Sequence, residues 1–251
     1  MTSFCEWCRS NLGQSLLAAE KSALQKFLPS LNGEIAVQYA NTGTQALLEA
    51  SDIEHKFFLQ AGELPENKAM GASDAGEIQS IYVSDQDVLP FISSSVDLCL
   101  LSHMLDYSNN PHQLLRESKE ILVSGGHLII LGFNPYSCWG GRKLFSRSKP
   151  PWNGHNFSVY KIRDWLSLLD FQITGGMMLY YSPLIKNQAM RQRFSFLEEA
   201  GDRWWPMLGS VYLLVAQKRD PGTTVIDFRE NFKEDAYMNV AEPAIKSYMK
   251  Y

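Results

Sequence analysis

The sequence predicts an α/β fold with a mostly parallel sheet, and three features carry that expectation. Short apolar runs alternate along the chain with stretches of helical periodicity. One stretch, "GEIAVQYANTGTQALLEA" at 33–50, passes from a strand through a small-residue turn into helix-forming residues. That layout offers backbone N–H groups to a ligand. A length of 251 residues, 45% of them hydrophobic and 20% charged, suits one ordinary globular domain with additions.

The elements follow in order. Residues 14–28 place Leu16, Leu17, Ala23, Leu24, Phe27 and Leu28 on one helical stripe, closed by Pro29 and Asn32-Gly33. Glu20 falls inside that stripe, where a carboxylate must pair or face a cavity; a salt bridge at the stripe's margin is expected. Ile35–Tyr39 and Lys56–Leu59 read as the first two strands. Residues 61–77 lack periodicity and are rich in Gly, Pro, Asn and Ser, so they read as a surface loop. "IQSIYVSD" and "SVDLCLLSH" are the next strands. A helix capped by Asn110 and opened by Pro111 is expected to stop at Gly125-Gly126. "HLIILGF" then reads as a buried strand. Ser158 to Leu169 carries Ile162, Trp165, Leu166 and Leu169 on one helical face, and "FQITGGMMLYY" and "SVYLLVAQK" close the sheet. The expected organisation is an N-terminal helical extension (1–32), a main domain (33–218) and a loosely ordered polar tail (219–251).

Composition excludes some classes of function. The 23 basic and 27 acidic residues give a net charge of −4 without a long basic run, which argues against nucleic acid or an anionic membrane surface as the main partner. No apolar stretch approaches the roughly 20 residues of a membrane span, and no signal-peptide pattern opens the chain, so a cytoplasmic location is expected. Cys5 and Cys8 form a lone CxxC, and Cys99 and Cys138 stand apart; without a second pair or nearby histidines, no metal site is expected.

A dinucleotide-type turn normally carries three glycines, because side chains there block the ligand from the backbone. Only Gly43 remains inside this one. The residues alone leave a working loop, a decayed one and an ordinary turn all open.

Residues 83–135 narrow the choice. Asp85, Leu89-Pro90-Phe91, Val96-Asp97, Leu114-Leu115-Arg116-Glu117, Leu122 and Gly125-Gly126 occur in the order found in the class I S-adenosylmethionine-dependent methyltransferases, and the chain resembles their methyltransferase type 11 group. "LGQSLLAAE", the Gln38 strand, "GFNPYSCWGGRKLF" and "DWLSLLDFQI" are similar to its YafS-like branch. The resemblance implies a single Rossmann-like domain, with a seven-stranded mostly parallel sheet and helices on both faces. It also implies S-adenosylmethionine as cofactor and methyl transfer to a small molecule. A non-catalytic binding or scaffolding protein on the same fold is the alternative.

The implied cofactor residues are Gln38, Ala40, Asn41 and Gly43 in the loop, with Gln38 replacing an acidic residue and Ala40 and Thr42 replacing glycines. Gln60 or Glu63 would stand at the ribose, Asp85 and the N–H of Gln86 at the adenine, and Ser102 and His103 at the end of the fourth strand. His103 could face the methionine part or act as a base, and Asn134 matches a position near the methyl-accepting group; these two are the candidate catalytic residues. Trp139 and Arg142, with Asn134, would line the substrate side; for Trp139 a loop aromatic packed on the domain is the favoured reading. His155 reads as a turn residue and Trp204-Trp205-Pro206 as core or contact patch. "FNPY" at 133–136 follows the fifth strand, whereas nucleic-acid methyltransferases carry a similar motif after the fourth, so nucleic acid is not the expected substrate.

Overall fold

A computed structural model describes residues 4–40, 47–61, 78–83, 88–142, 153–181 and 208–219. The chain divides into a unit Met1–Pro221 and a second unit Gly222–Tyr251, the latter outside the described residues.

Two short helices lead: α1 (Phe4–Cys8) and α2 (Asn11–Leu24), the second capped by the Ser10 hydroxyl, which accepts from the Gly13 N–H. The remaining elements are β1 (Ile35–Ala40), β2 (His55–Ala61), β3 (Ile78–Val83), β4 (Val96–Ser102), α3 (Met104–Tyr107), α4 (Pro111–Ile121), β5 (Leu122–Phe133), α5 (Cys138–Arg142), α6 (Val159–Leu168), β6 (Phe171–Leu179) and β7 (Val211–Lys218). Seven strands form one sheet in the order β3-β2-β1-β4-β5-β7-β6. The pairs from β3 through β5 are parallel, and β7 runs antiparallel to both its neighbours.

The period of two along each strand explains how a single sheet builds two cores. Ala36, Leu98, Leu100, Ile129 and Leu131 face one side, where Phe4, Leu16, Leu17 and Leu24 of the N-terminal helices cover them. Val37, Tyr39, Cys99, Leu101, Leu128 and Ile130 face the other, under Leu114, Leu115, Ile162 and Leu166. Covered on both faces, the central strands read as nearly continuous apolar runs.

Three details differ from the sequence reading. The helix expected to stop at Gly125-Gly126 ends at Ile121, and those glycines lie inside β5. Gly125 has φ +76°, and the β4–β5 register shifts between Val96 and Leu98, so the pair forms an irregularity in a strand. Gln217 Nε2 donates to Gly125 O at 2.9 Å and Lys218 Nζ to Leu122 O at 2.6 Å, fixing it from β7. Between β1 and β2, the described end of the helix-forming run is a 3-10 turn, Leu48–Ala50, and its start lies outside the described residues. Glu20 sits at full depth on α2, fully buried, instead of at the margin of its stripe.

The α1–α2 corner depends on a missing side chain. A Cβ at Gly13 would stand 2.5 Å from Cys8 Cα and 2.6 Å from Trp7 O, both backbone atoms. Gly13→Ala should therefore pry α1 from α2 and lower the unfolding free energy by about 1–3 kcal/mol in urea titrations. An unchanged midpoint would contradict this packing.

Candidate functional site

In an open parallel sheet, ligands bind beyond the carboxyl ends of the strands, where the strand order reverses. Here the reversal falls at β1, which has β2 on one side and β4 on the other. Ala40 pairs in register with Gln60 on β2 and with Ser102 on β4. Three of the residues expected at the cofactor thus lie abreast along one edge. Strand alternation puts Ala40 on the same face as Ala36, and Ser102 on the same face as Leu98 and Leu100. The Ser102 hydroxyl is fully buried and has no hydrogen-bond partner among the described residues.

Gln38, also buried on β1, accepts from the Leu47 N–H through Oε1 at 2.7 Å. It thereby holds the backbone at Leu47, the first described residue after β1. Asn41, Thr42, Gly43, Glu63, Asp85 and Gln86 lie outside the described residues, as do Trp204, Trp205 and Pro206.

The next residue after Ser102 is the centre of a buried polar chain. His103 has φ 55°, a left-handed conformation, and leads into α3. Its Nε2 lies 2.8 Å from Glu20 Oε1 and its Nδ1 3.3 Å from Asp106 Oδ2, with all three side chains fully buried. Asp106 Oδ2 also accepts from the Phe133 N–H at 3.0 Å. The Phe4 ring meets the imidazole edge-on at 5.4 Å between centroids, and Phe133 lies against it at 4.3 Å. Burial by itself pulls the imidazole pKa down, but Glu20 and Asp106 outweigh it and hold the value up at about 9. His103 therefore carries its proton at neutral pH, with a carboxylate at each ring nitrogen.

Glu20 and Asp106 are the site-edge residues that the sequence reading missed. The signal for Glu20 was present, a carboxylate within an apolar stripe; its partner, 83 positions away in the chain, was not. Asp106 stands three residues after His103, a spacing at which side chains meet across a helical turn.

The acceptor side is rearranged relative to expectation. Asn134 is buried, with Nδ2 donating to Gly209 O at 2.9 Å and Oδ1 accepting from the Tyr136 N–H at 3.1 Å. Its backbone N–H donates to Ser210 O at 3.0 Å. This side chain clamps the end of β5 to the segment that opens β7. Trp139 is a core residue, as its favoured reading of a packed loop aromatic expects. It is 2% exposed and packs against Trp7, Phe133 and Tyr180. Arg142 is the last residue of α5. His155 is exposed, stacks on Phe157 and donates its N–H to Asp106 O. Burial, followed by the nearby Glu20, pushes the Cys8 thiol pKa far up, so it is no nucleophile. No cluster of three metal-ligating side chains occurs among the described residues.

With the geometry in place, comparison with known proteins shows what the chain is similar to. Residues 31–130 match the family model described as a methyltransferase domain. That match spans about two fifths of the chain, and the seven-stranded sheet has the Rossmann-like fold of solved structures described as S-adenosylmethionine-dependent methyltransferases. It is 38% identical over 133 residues to YafS of Escherichia coli (strain K12), a match covering 52% of each protein and so about half that relative's length. It is 25% identical over 186 residues to the tRNA 5-carboxymethoxyuridine methyltransferase of the same strain, covering 68% of this chain and 69% of that one. Among solved structures, a chain from the complex between the Haloferax volcanii Trm112 methyltransferase activator and a candidate methyltransferase superposes with a TM-score of 0.65. That match has 17% identity and covers 88% of this chain and 98% of that one. A methyltransferase from Thermotoga maritima gives a TM-score of 0.58 at 15% identity, covering 82% and 91%.

The elevated His103 pKa has a consequence for stability. A group raised from 6.5 to about 9 on folding contributes fully below pH 6.5, and its contribution is lost as pH rises through 9. Urea unfolding of the wild type should thus weaken by up to roughly 3 kcal/mol across that interval. The His103→Gln variant should lack this slope. Parallel pH profiles for the two proteins would contradict the assigned ion pairs.

Proposed function

We propose that the chain is an S-adenosylmethionine-dependent methyltransferase acting on a small molecule, with its cofactor lying along the carboxyl edge of β1, β2 and β4. The observation that carries this reading is the line Gln60–Ala40–Ser102, which ends in a buried hydroxyl lacking a partner among the described residues. Such a hydroxyl costs roughly 1–3 kcal/mol unless a ligand or water completes it. The residues present fit the cofactor: Gln60, half-buried at the end of β2, can hydrogen-bond a ribose diol, and Ser102 can meet the amino-acid portion.

When bound, S-adenosylmethionine supplies a methyl group already activated by its sulfonium. The protein then has to hold an acceptor in line with that bond, at roughly 3 Å, and keep water out. His103 is not free to take a proton at neutral pH, since it already holds one between Glu20 and Asp106. In this reading it shapes the edge of the site, and Asn134 fixes the turn from which the acceptor side is built. The relative acting on tRNA does not move the reading to nucleic acid, because the net charge of −4 and the lack of a basic run favour a small acceptor. A non-catalytic binding protein remains the second reading. Gln38 and Ala40, in place of an acidic residue and a glycine, favour it.

Calorimetric titration with S-adenosylmethionine and S-adenosylhomocysteine tests the proposal. Both should bind, and Ser102→Ala and Asp85→Ala should each weaken binding by about 1–3 kcal/mol. Absence of heat with both ligands at saturating concentration would refute it, and binding without methyl transfer to any acceptor would favour the second reading.

A further inference from the structure

We propose that Glu20 is a positioning residue of the candidate site, fixing the Ser102–His103 corner through the His103 imidazole. The role at the cofactor rests on the reading given under Proposed function. Glu20 itself comes from α2, which lies outside the matched family region at 31–130.

The position calls for an explanation because an apolar side chain would suit it. Leu16, Leu17, Ala23 and Leu24 surround Glu20 on the same buried face of α2. A buried ion pair in such a place adds little net stability, since desolvation offsets most of the attraction, and apolar replacements of like volume are often neutral or better. What the pair does supply is geometry. His103 is a non-glycine residue at φ 55°, a conformation that costs roughly 1 kcal/mol and persists only where its surroundings determine it.

Those surroundings are visible. Glu20 holds Nε2, Asp106 holds Nδ1, and Phe4 and Phe133 pack on the ring. Of the two polar contacts, that of Glu20 is the shorter, and Asp106 Oδ2 is shared with the Phe133 N–H. Without Glu20 the imidazole loses its tighter restraint, and the corner can relax toward ordinary backbone angles. Ser102 is the adjacent residue, so its hydroxyl would leave the line it shares with Ala40 and Gln60. The second oxygens, Glu20 Oε2 and Asp106 Oδ1, have no partner among the described residues.

Three further titratable groups near this cluster, among the described residues, stay uncharged near neutrality. Cys8 on α1, Tyr107 on α3 and Tyr212 on β7 are all raised, first by burial and then by Glu20 in the case of Cys8 or Asp106 in the cases of the tyrosines. A change in His103 titration can thus be traced to Glu20 or Asp106.

The experiment uses the full chain, isotope-labelled, with the His103 ring signals identified among five histidines by loss in His103→Gln. In the wild type the imidazole should remain charged well above pH 6.5 with both ring nitrogens protonated; a midpoint at or below that value overturns the proposal without any variant. Glu20→Gln keeps the shape and removes the charge. It should lower the His103 midpoint by about one pH unit or more and weaken S-adenosylhomocysteine binding at pH 7 by about tenfold, the size of one charge-assisted hydrogen bond. The control Glu49→Gln breaks the surface pair with Lys21 and should change neither reading. An unmoved midpoint, or unchanged affinity despite a moved one, overturns the positioning role. Failure of the wild type to bind S-adenosylhomocysteine strikes the cofactor reading instead, and is recognised by its independence of Glu20.

Discussion

Two carboxylates and one imidazole cannot sit in a dry core unless they satisfy each other, and this requirement ties three parts of the chain together. Glu20 comes from α2, His103 from the end of β4 and Asp106 from α3, while Asp106 also holds the backbone of Phe133 at the end of β5. Removing any one member leaves a buried charge without its partner, which costs several kcal/mol. The N-terminal helices are therefore more than an apolar cover for one face of the sheet. They deliver the carboxylate that closes the polar chain at the carboxyl end of β4.

Other features of the carboxyl edge serve the same end. Gln38 draws in the chain at Leu47, Asn134 clamps β5 to β7, and Trp139 joins the aromatic layer of Trp7, Phe133 and Tyr180. Each is a polar or aromatic residue that sequence alone suggests as a ligand contact, and each spends its functional group on the scaffold. Ser102 differs, since its hydroxyl is buried without a described partner. The Tyr212 hydroxyl on β7 is also buried without a described partner, but Ser102 stands at the carboxyl edge, where a small ligand can complete it.

Much of the fold was legible because it follows from local periodicity. The apolar runs of β1, β4 and β5, the Asn110-Pro111 helix start and the capping Ser158 all act over a few residues, and each lies where the pattern puts it. The line of Gln60, Ala40 and Ser102 was readable as residues but not as a line, because register is a property of paired strands. Gly125-Gly126 misled for a physical reason: a positive φ serves a strand irregularity as well as a helix stop, and Gln217 and Lys218, which decide between them, lie far along the chain. Asn134 and Trp139 each allow two readings in sequence, and the packed aromatic favoured for Trp139 is the one observed. Their positions after a central strand are those of a substrate wall, yet β7 and α1 reach them first.

The central proposal is that the preorganised β1–β2–β4 edge receives S-adenosylmethionine beside a fixed His103. A crystal structure of the full chain grown with S-adenosylhomocysteine tests it most directly. The account predicts the ribose beside Gln60, the amino-acid end within hydrogen-bonding distance of the Ser102 hydroxyl, and His103 still held between Glu20 and Asp106. Ligand bound away from the β1–β2–β4 edge, or an edge left empty at saturating ligand, would contradict it.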